Sequence, residues 1–142
     1  MNLISGKRYL RDTNVLVYAV NRAALRHERV KELLEGGLRD GVRFTVAHQN
    51  LLELIAVLVR SFGIAPSHAQ RDAEAFAGQF EVIAPFTGTL ETFARLMKHA
   101  PKSAYPFDVY LAATMLDNNV RRIITGNVKD FQRFGFEEIV AV

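Results

Sequence analysis

Two hydrophobic rhythms alternate along this chain, and no other feature narrows its fold as much: short apolar runs are separated by longer segments whose apolar residues recur at the helical period. The runs predict strands at Arg8–Asp12, Val42–Val46, Glu81–Ala84, Arg122–Thr125 and near Glu138–Val142. The longer segments predict helices over Thr13–Val20, Arg26–Gly36, His48–Phe62, Ser67 to about Phe80, Thr89–Ala100 and Pro106–Leu116. Gly36-Gly37 and Gly63 read as helix stops, Ser67 as an N-cap, Pro101 as a closure, and Pro106 as a first-turn residue whose missing N–H costs nothing. The stretch between Thr125 and the last strand reads as a loop. Strands that alternate with helices imply an α/β layer fold around a mostly parallel sheet with right-handed crossovers. Ligands of such sheets collect outside the carboxyl ends of the strands, so residues that directly follow a strand are the first to inspect.

Length and composition set the outer bounds. At 142 residues the chain suits one domain, 1–142, with one sizeable core, and 49% hydrophobic against 23% charged residues is a globular balance. Having no cysteine, it excludes disulfides, thiolate nucleophiles and Cys-ligated zinc, and leaves oxygen and imidazole as strong metal ligands. The N-terminus, Met1 to Arg8, has no apolar leader core, and no apolar run reaches the roughly 20 residues of a bilayer span, so an unexported, cytoplasmic protein off the membrane is expected. A net charge of +3 permits a nucleic-acid partner and equally suits a merely solvated surface.

Three carboxylates stand where structure alone gives them little to do. Asp12 ends the first strand in Tyr9-Leu10-Arg11-Asp12-Thr13-Asn14-Val15-Leu16, a ligand-bearing place that also suits a helix cap. Glu53 lies in Leu51-Leu52-Glu53-Leu54-Ile55-Ala56-Val57-Leu58-Val59, and its helical neighbours Gln49, Asn50, Ala56 and Val57 include no cation. A carboxylate in so apolar a segment needs a partner from elsewhere, for which a metal ion or its bound water is a natural candidate. Asp108 opens a helix among Ala104, Tyr105, Leu111 and Ala112, where the alternative is simple favour from the helix dipole. A strand then leads through Thr125-Gly126-Asn127-Val128-Lys129-Asp130-Phe131, and Asp130 is a possible fourth acid. Gathered at one end of a sheet, these like charges would repel, and a hard divalent cation relieves them. Magnesium, which keeps several waters and takes few carboxylates, fits that role and could activate water for in-line attack on a phosphodiester.

The order of these segments resembles the PIN-domain family, especially its VapC-type toxins. The resemblance covers almost the whole chain: Asp12-Thr13-Asn14-Val15-Leu16, then Glu53 in its apolar helix, then Asp108 with Ala112-Ala113, then Thr125 to Phe131. It implies a three-layer α/β/α sandwich, a ribonuclease dependent on Mg2+ or Mn2+, a homodimer, and a partner antitoxin. It assigns Asp12, Glu53 and Asp108 to the acidic metal site, and Asn14 and Thr125 to polar positions that hold that site together. Where many relatives have a fourth Asp this chain has Asn127, so Asn127 or Asp130 would complete the ligands. Lys102, Lys129 and Arg133 flank the site in sequence and are candidate RNA contacts. Arg11 departs from the family, in which the residue before the first Asp is usually apolar.

Other readings compete. A haloacid-dehalogenase-like phosphotransferase also starts from a strand-end Asp but wants a second Asp where Asn14 stands. A receiver domain needs an acidic pair that the N-terminus lacks, and the glycine patterns of P-loop and dinucleotide sites are absent. His27, His48, His68 and His99 show no metal-ligand spacing. A PIN-fold module that binds RNA or a partner without cleaving is the non-enzymatic alternative.

Overall fold

Five strands, β1 (Arg8–Arg11), β2 (Arg43–Ala47), β3 (Glu81–Ile83), β4 (Arg122–Thr125) and β5 (Glu138–Ala141), form one sheet in the order β3-β2-β1-β4-β5. Every neighbouring pair is parallel, so the sheet expected to be mostly parallel is wholly so. The computed structural model describes residues 3–142; the first two residues of the N-terminal segment read for a leader lie outside that range. The chain lays β2 and β3 outward on one side of β1, then returns to lay β4 and β5 on the other. Leu10 is in register with Thr45 of β2 and with Ile123 of β4, which aligns the carboxyl ends of the three inner strands. The order reverses between β1 and β4, and the crevice at their carboxyl ends is the place where such a sheet can take a ligand.

Helices cover both faces. They are α1 (Thr13–Val20), α2 (His27–Arg39), α3 (His48–Phe62), α4 (Pro66–Gln79), α5 (Thr89–Met97), α6 (Pro106–Asp117) and α7 (Val128–Phe131), which runs into a 3-10 turn at Gln132–Phe134. Tyr9, Phe44 and Ile124 turn to the face where Val15 of α1 and Val30 of α2 pack, and Val46 meets α3 and α4 through Leu54 and Ala69. Their strand neighbours Leu10 and Ile123 turn the other way, against Val109, Ala112 and Met115 of α6. Burial on both faces explains why the strands read as continuous apolar runs. The result is the three-layer α/β/α arrangement, with α1 to α4 on one side and α5 and α6 on the other.

The structure corrects several local expectations. Gly36 and Gly37 do not stop α2, which continues to Arg39. Gly37 sits inside the helix because Phe44 presses on it; a Cβ there would stand 2.6 Å from the Phe44 ring. The stop comes at Gly41, whose φ of 80° is a left-handed turn into β2. Ser67 is not the cap of α4, since Pro66 already occupies its first turn and no side chain caps it. Helix α5 ends at Met97 rather than Ala100. The stretch after β4 is not all loop: α7 and the turn behind it gather Phe131, Phe134 and Phe136 into an aromatic cluster, which supplies the burial that so short a helix needs.

Arg11 also finds its place. It is 1% exposed, with its guanidinium carbon 3.6 Å from the centroid of the Phe80 ring and within 5.5 Å of the Phe76 and Phe44 centroids. Aromatic faces attract a cation, which offsets part of the cost of burying one. The cost remains visible: burial lowers the Arg11 pKa to about 9, and its Nε and Nη2 have no hydrogen-bond partner.

Candidate active site

Asp12 follows β1 at the reversal point, and its carboxylate is fixed at both oxygens. Oδ1 accepts the Thr13 N–H at 2.8 Å, capping α1, and Oδ2 accepts the Thr125 hydroxyl at 2.8 Å from the end of β4. The Thr125 hydroxyl in turn accepts the Asn127 N–H at 3.0 Å, so its own proton is committed to Asp12. Asn14 accepts the Gly126 N–H at 3.1 Å and ties the loop after β4 to α1. Cap and site are thus one arrangement, which Asp12 serves through separate oxygens. Asp12 itself is buried, at 7% exposure.

Glu53 is held by a parallel device. Its Oε1 accepts the Thr13 hydroxyl at 2.8 Å, and that hydroxyl accepts an N–H of Asn50 at 3.2 Å. Asn50 is fully buried at the start of α3, where its Oδ1 also accepts the Ala47 N–H at 3.0 Å. Each carboxylate therefore has a threonine hydroxyl whose proton is aimed at it because an N–H fills the hydroxyl's accepting side. One turn before Glu53, Gln49 donates to the Phe107 carbonyl at 2.7 Å and fastens α3 to the start of α6, next to Asp108.

Asp108 is not a cap. The residue before α6 is Tyr105, no side chain bonds to that helix end, and the Asp108 carboxylate has no hydrogen bond among the described residues. It points into an open cleft of about 530 Å³ together with Asp12, Glu53, Asp130 and Asn127, and Tyr18 and Tyr105 line the same space. The position near a helix N-terminus favours the charged form, yet the Asp108 pKa is raised to about 7. Burial is the largest cause, followed by the charges of Asp12, Asp130 and Glu53. Asp12 and Glu53 are raised as well, first by burial, and then by Asp130 and Asp12 respectively, against the lowering effect of their threonine bonds. No lysine or arginine holds any of the three down.

The family model described as the PIN domain matches residues 9–137. This chain is a PIN domain. No curated protein matches it by sequence. Among solved structures it is similar to VapBC2 from Rickettsia felis bound to a DNA fragment from its promoter, at 18% identity over 95% of this chain and 98% of that one, with a TM-score of 0.70. It is similar to VapC20 of Mycobacterium tuberculosis, a Sarcin-Ricin loop cleaving toxin, at 18% identity over 90% and 95% of the two chains and a TM-score of 0.68. VapBC-1 from nontypeable Haemophilus influenzae shares 26% identity over 94% and 97%, with a TM-score of 0.63.

The PIN domain thus brings Asp12, Glu53, Asp108, Asn127 and Asp130 to one cleft, and places Asn14 and Thr125 behind it. No three Asp, Glu or His side chains among the described residues stand close enough to form a finished coordination shell. The donor set nevertheless fits a hard cation: it is all oxygen, it is crowded enough for neighbouring carboxylates to raise Asp12, Glu53 and Asp108, and magnesium is commonly held by one or two carboxylates with waters completing its shell. Lys102, Lys129 and Arg133 are exposed and do not line the cleft. Sequence reasoning missed Thr13 and Asn50. The available signal was Asn50 itself, an amide at the head of an apolar helix that had to find buried partners.

Proposed function

We propose that this PIN domain is a metal-dependent endoribonuclease and the toxin half of a toxin–antitoxin pair. The observation that carries the reading is the cleft in which Asp12, Glu53, Asp108 and Asp130 gather with no lysine or arginine lining it, three of them raised by burial and by neighbouring carboxylates. Asp12, Glu53, Asp108 and Asp130 would hold Mg2+ or Mn2+, with the Asn127 amide oxygen as a neutral ligand beside them. Bound there, the ion would activate water and stabilise charge on a phosphodiester. The chain's own part is orientation: Thr125 and Thr13 fix the acceptor oxygens of Asp12 and Glu53, and the open cleft admits a single strand or loop of RNA.

Likeness to VapBC structures supports an antitoxin partner. So does an apolar groove of about 490 Å³ lined by Leu52, Ala56, Pro85, Phe107 and Tyr110, which a protein partner or a second copy would cover. No helix among the described residues is long and apolar enough to cross a membrane. The test is incubation of the purified chain with labelled single-stranded RNA. Cleavage is expected with magnesium or manganese and not in excess chelator. Cleavage that persists in chelator overturns the metal reading, and RNA bound but left intact in metal favours the non-catalytic module.

A further inference from the structure

Arg26, the residue before α2, stands at the rim of the acid cleft without closing on it. Its guanidinium carbon is 5.7 Å from the centroid of the Tyr18 ring, and its Nη1 lies 3.5 Å from the Tyr18 hydroxyl. Tyr18 lines the cleft. On its other side Nη1 lies 3.1 Å from where a Cβ would stand on Gly126, between Thr125, which bonds Asp12, and Asn127, which lines the cleft. The guanidinium therefore spans from α1 to the loop after β4.

Its charge is unspent. The ion pairs among the described residues join Arg8 and Arg122 to Glu81, Glu137 and Glu138, and Arg26 is in none of them. The guanidinium contacts Tyr18, which lines the cleft, and it lowers none of the three raised acids. A planar fork of N–H donors in that position matches phosphate geometry. We propose that Arg26 binds a backbone phosphate adjacent to the one that enters the cleft, and that Gly126 is small to leave the guanidinium that place. The assignment rests on the nuclease reading, and it moves the main phosphate contact from Lys102, Lys129 and Arg133 to Arg26.

The experiment is steady-state cleavage of labelled single-stranded RNA in magnesium over a range of salt, with Arg26→Ala, Arg26→Lys, Gly126→Ala and, as a control, Arg39→Ala, which removes the same charge from the far end of α2. Arg26→Ala should raise KM about tenfold, leave kcat within about twofold, and reduce the slope of log kcat/KM against log salt by about one. Arg26→Lys should restore the slope and only part of the KM, because an ammonium lacks the fork. Gly126→Ala should raise KM by displacing the guanidinium, and Arg39→Ala should change neither quantity. Wild-type KM and slope in Arg26→Ala, or an equal change in Arg39→Ala, overturns the assignment while leaving the nuclease intact. If the wild-type chain leaves RNA uncut, the nuclease reading falls and this one with it.

Discussion

Asp108 is the residue on which structural and functional roles separate most cleanly. It makes no cap bond, and its pKa of about 7 lies above the roughly 3.9 of an unfolded Asp. The folded state therefore holds the proton more tightly than the unfolded state, so this group favours folding at low pH and loses that advantage as pH rises from about 4 to about 7. Metal-free protein should melt at falling temperature across that window, and Asp108→Asn should flatten the fall. At pH 8 in chelator the variant should be as stable as wild type or more so, while cleavage in magnesium collapses. A variant that keeps the wild-type pH dependence and rate removes Asp108 from the site. Asn127 and Asp130 make a second test: Asn127→Asp should hold or strengthen metal binding and Asp130→Ala should weaken it, both read by metal titration. Unchanged affinity in Asp130→Ala would place that residue outside the ligand set.

At the scale of elements, the two adjacent glycines of α2 behave differently because of what faces them. A Cβ on Gly37 meets the Phe44 ring at 2.6 Å, whereas one on Gly36 meets only the flexible end of Arg39 at 3.6 Å. Gly37→Ala should destabilise by about 1–3 kcal/mol through overpacking. Gly36→Ala should stabilise by about 0.5–1 kcal/mol through helix propensity. Denaturant titration of the two variants checks both signs, and equal effects would contradict the packing account. The same pair shows why local sequence misled: two glycines look like a stop until the ring from β2 is known to need the space. The alternation of strands and helices, by contrast, was readable because its period is set locally. Helix α3 matches its expected limits, His48–Phe62, since its apolar run has no breaker before Gly63. Ser67 and α7 were misread for reasons of context, Pro66 taking the first turn in one case and a three-phenylalanine cluster supporting a short helix in the other.

For the whole molecule, the candidate site was legible as residue types and not as connections. Asp12, Glu53 and Asp108 could be picked out because each is an acid without a local cation, but the hydroxyls of Thr13 and Thr125 reach across elements and appear only once β1, β4 and α3 are assembled. Arg11 needed the fold most, since Phe44, Phe76 and Phe80 come together around it from distant parts of the chain. The central claim is that this assembly makes a metal site out of carboxylates crowded into one half-buried cleft. It is tested most directly by calorimetric titration of Mn2+ into the purified chain at pH 7, in buffers of different ionisation enthalpy, beside Asp108→Asn. A cation that displaces the proton from Asp108 must release it to the buffer, so saturable binding with a release on the order of half a proton is predicted for wild type, with less release for the variant. No saturable binding, or binding whose proton release is zero and unchanged by Asp108→Asn, would contradict the account.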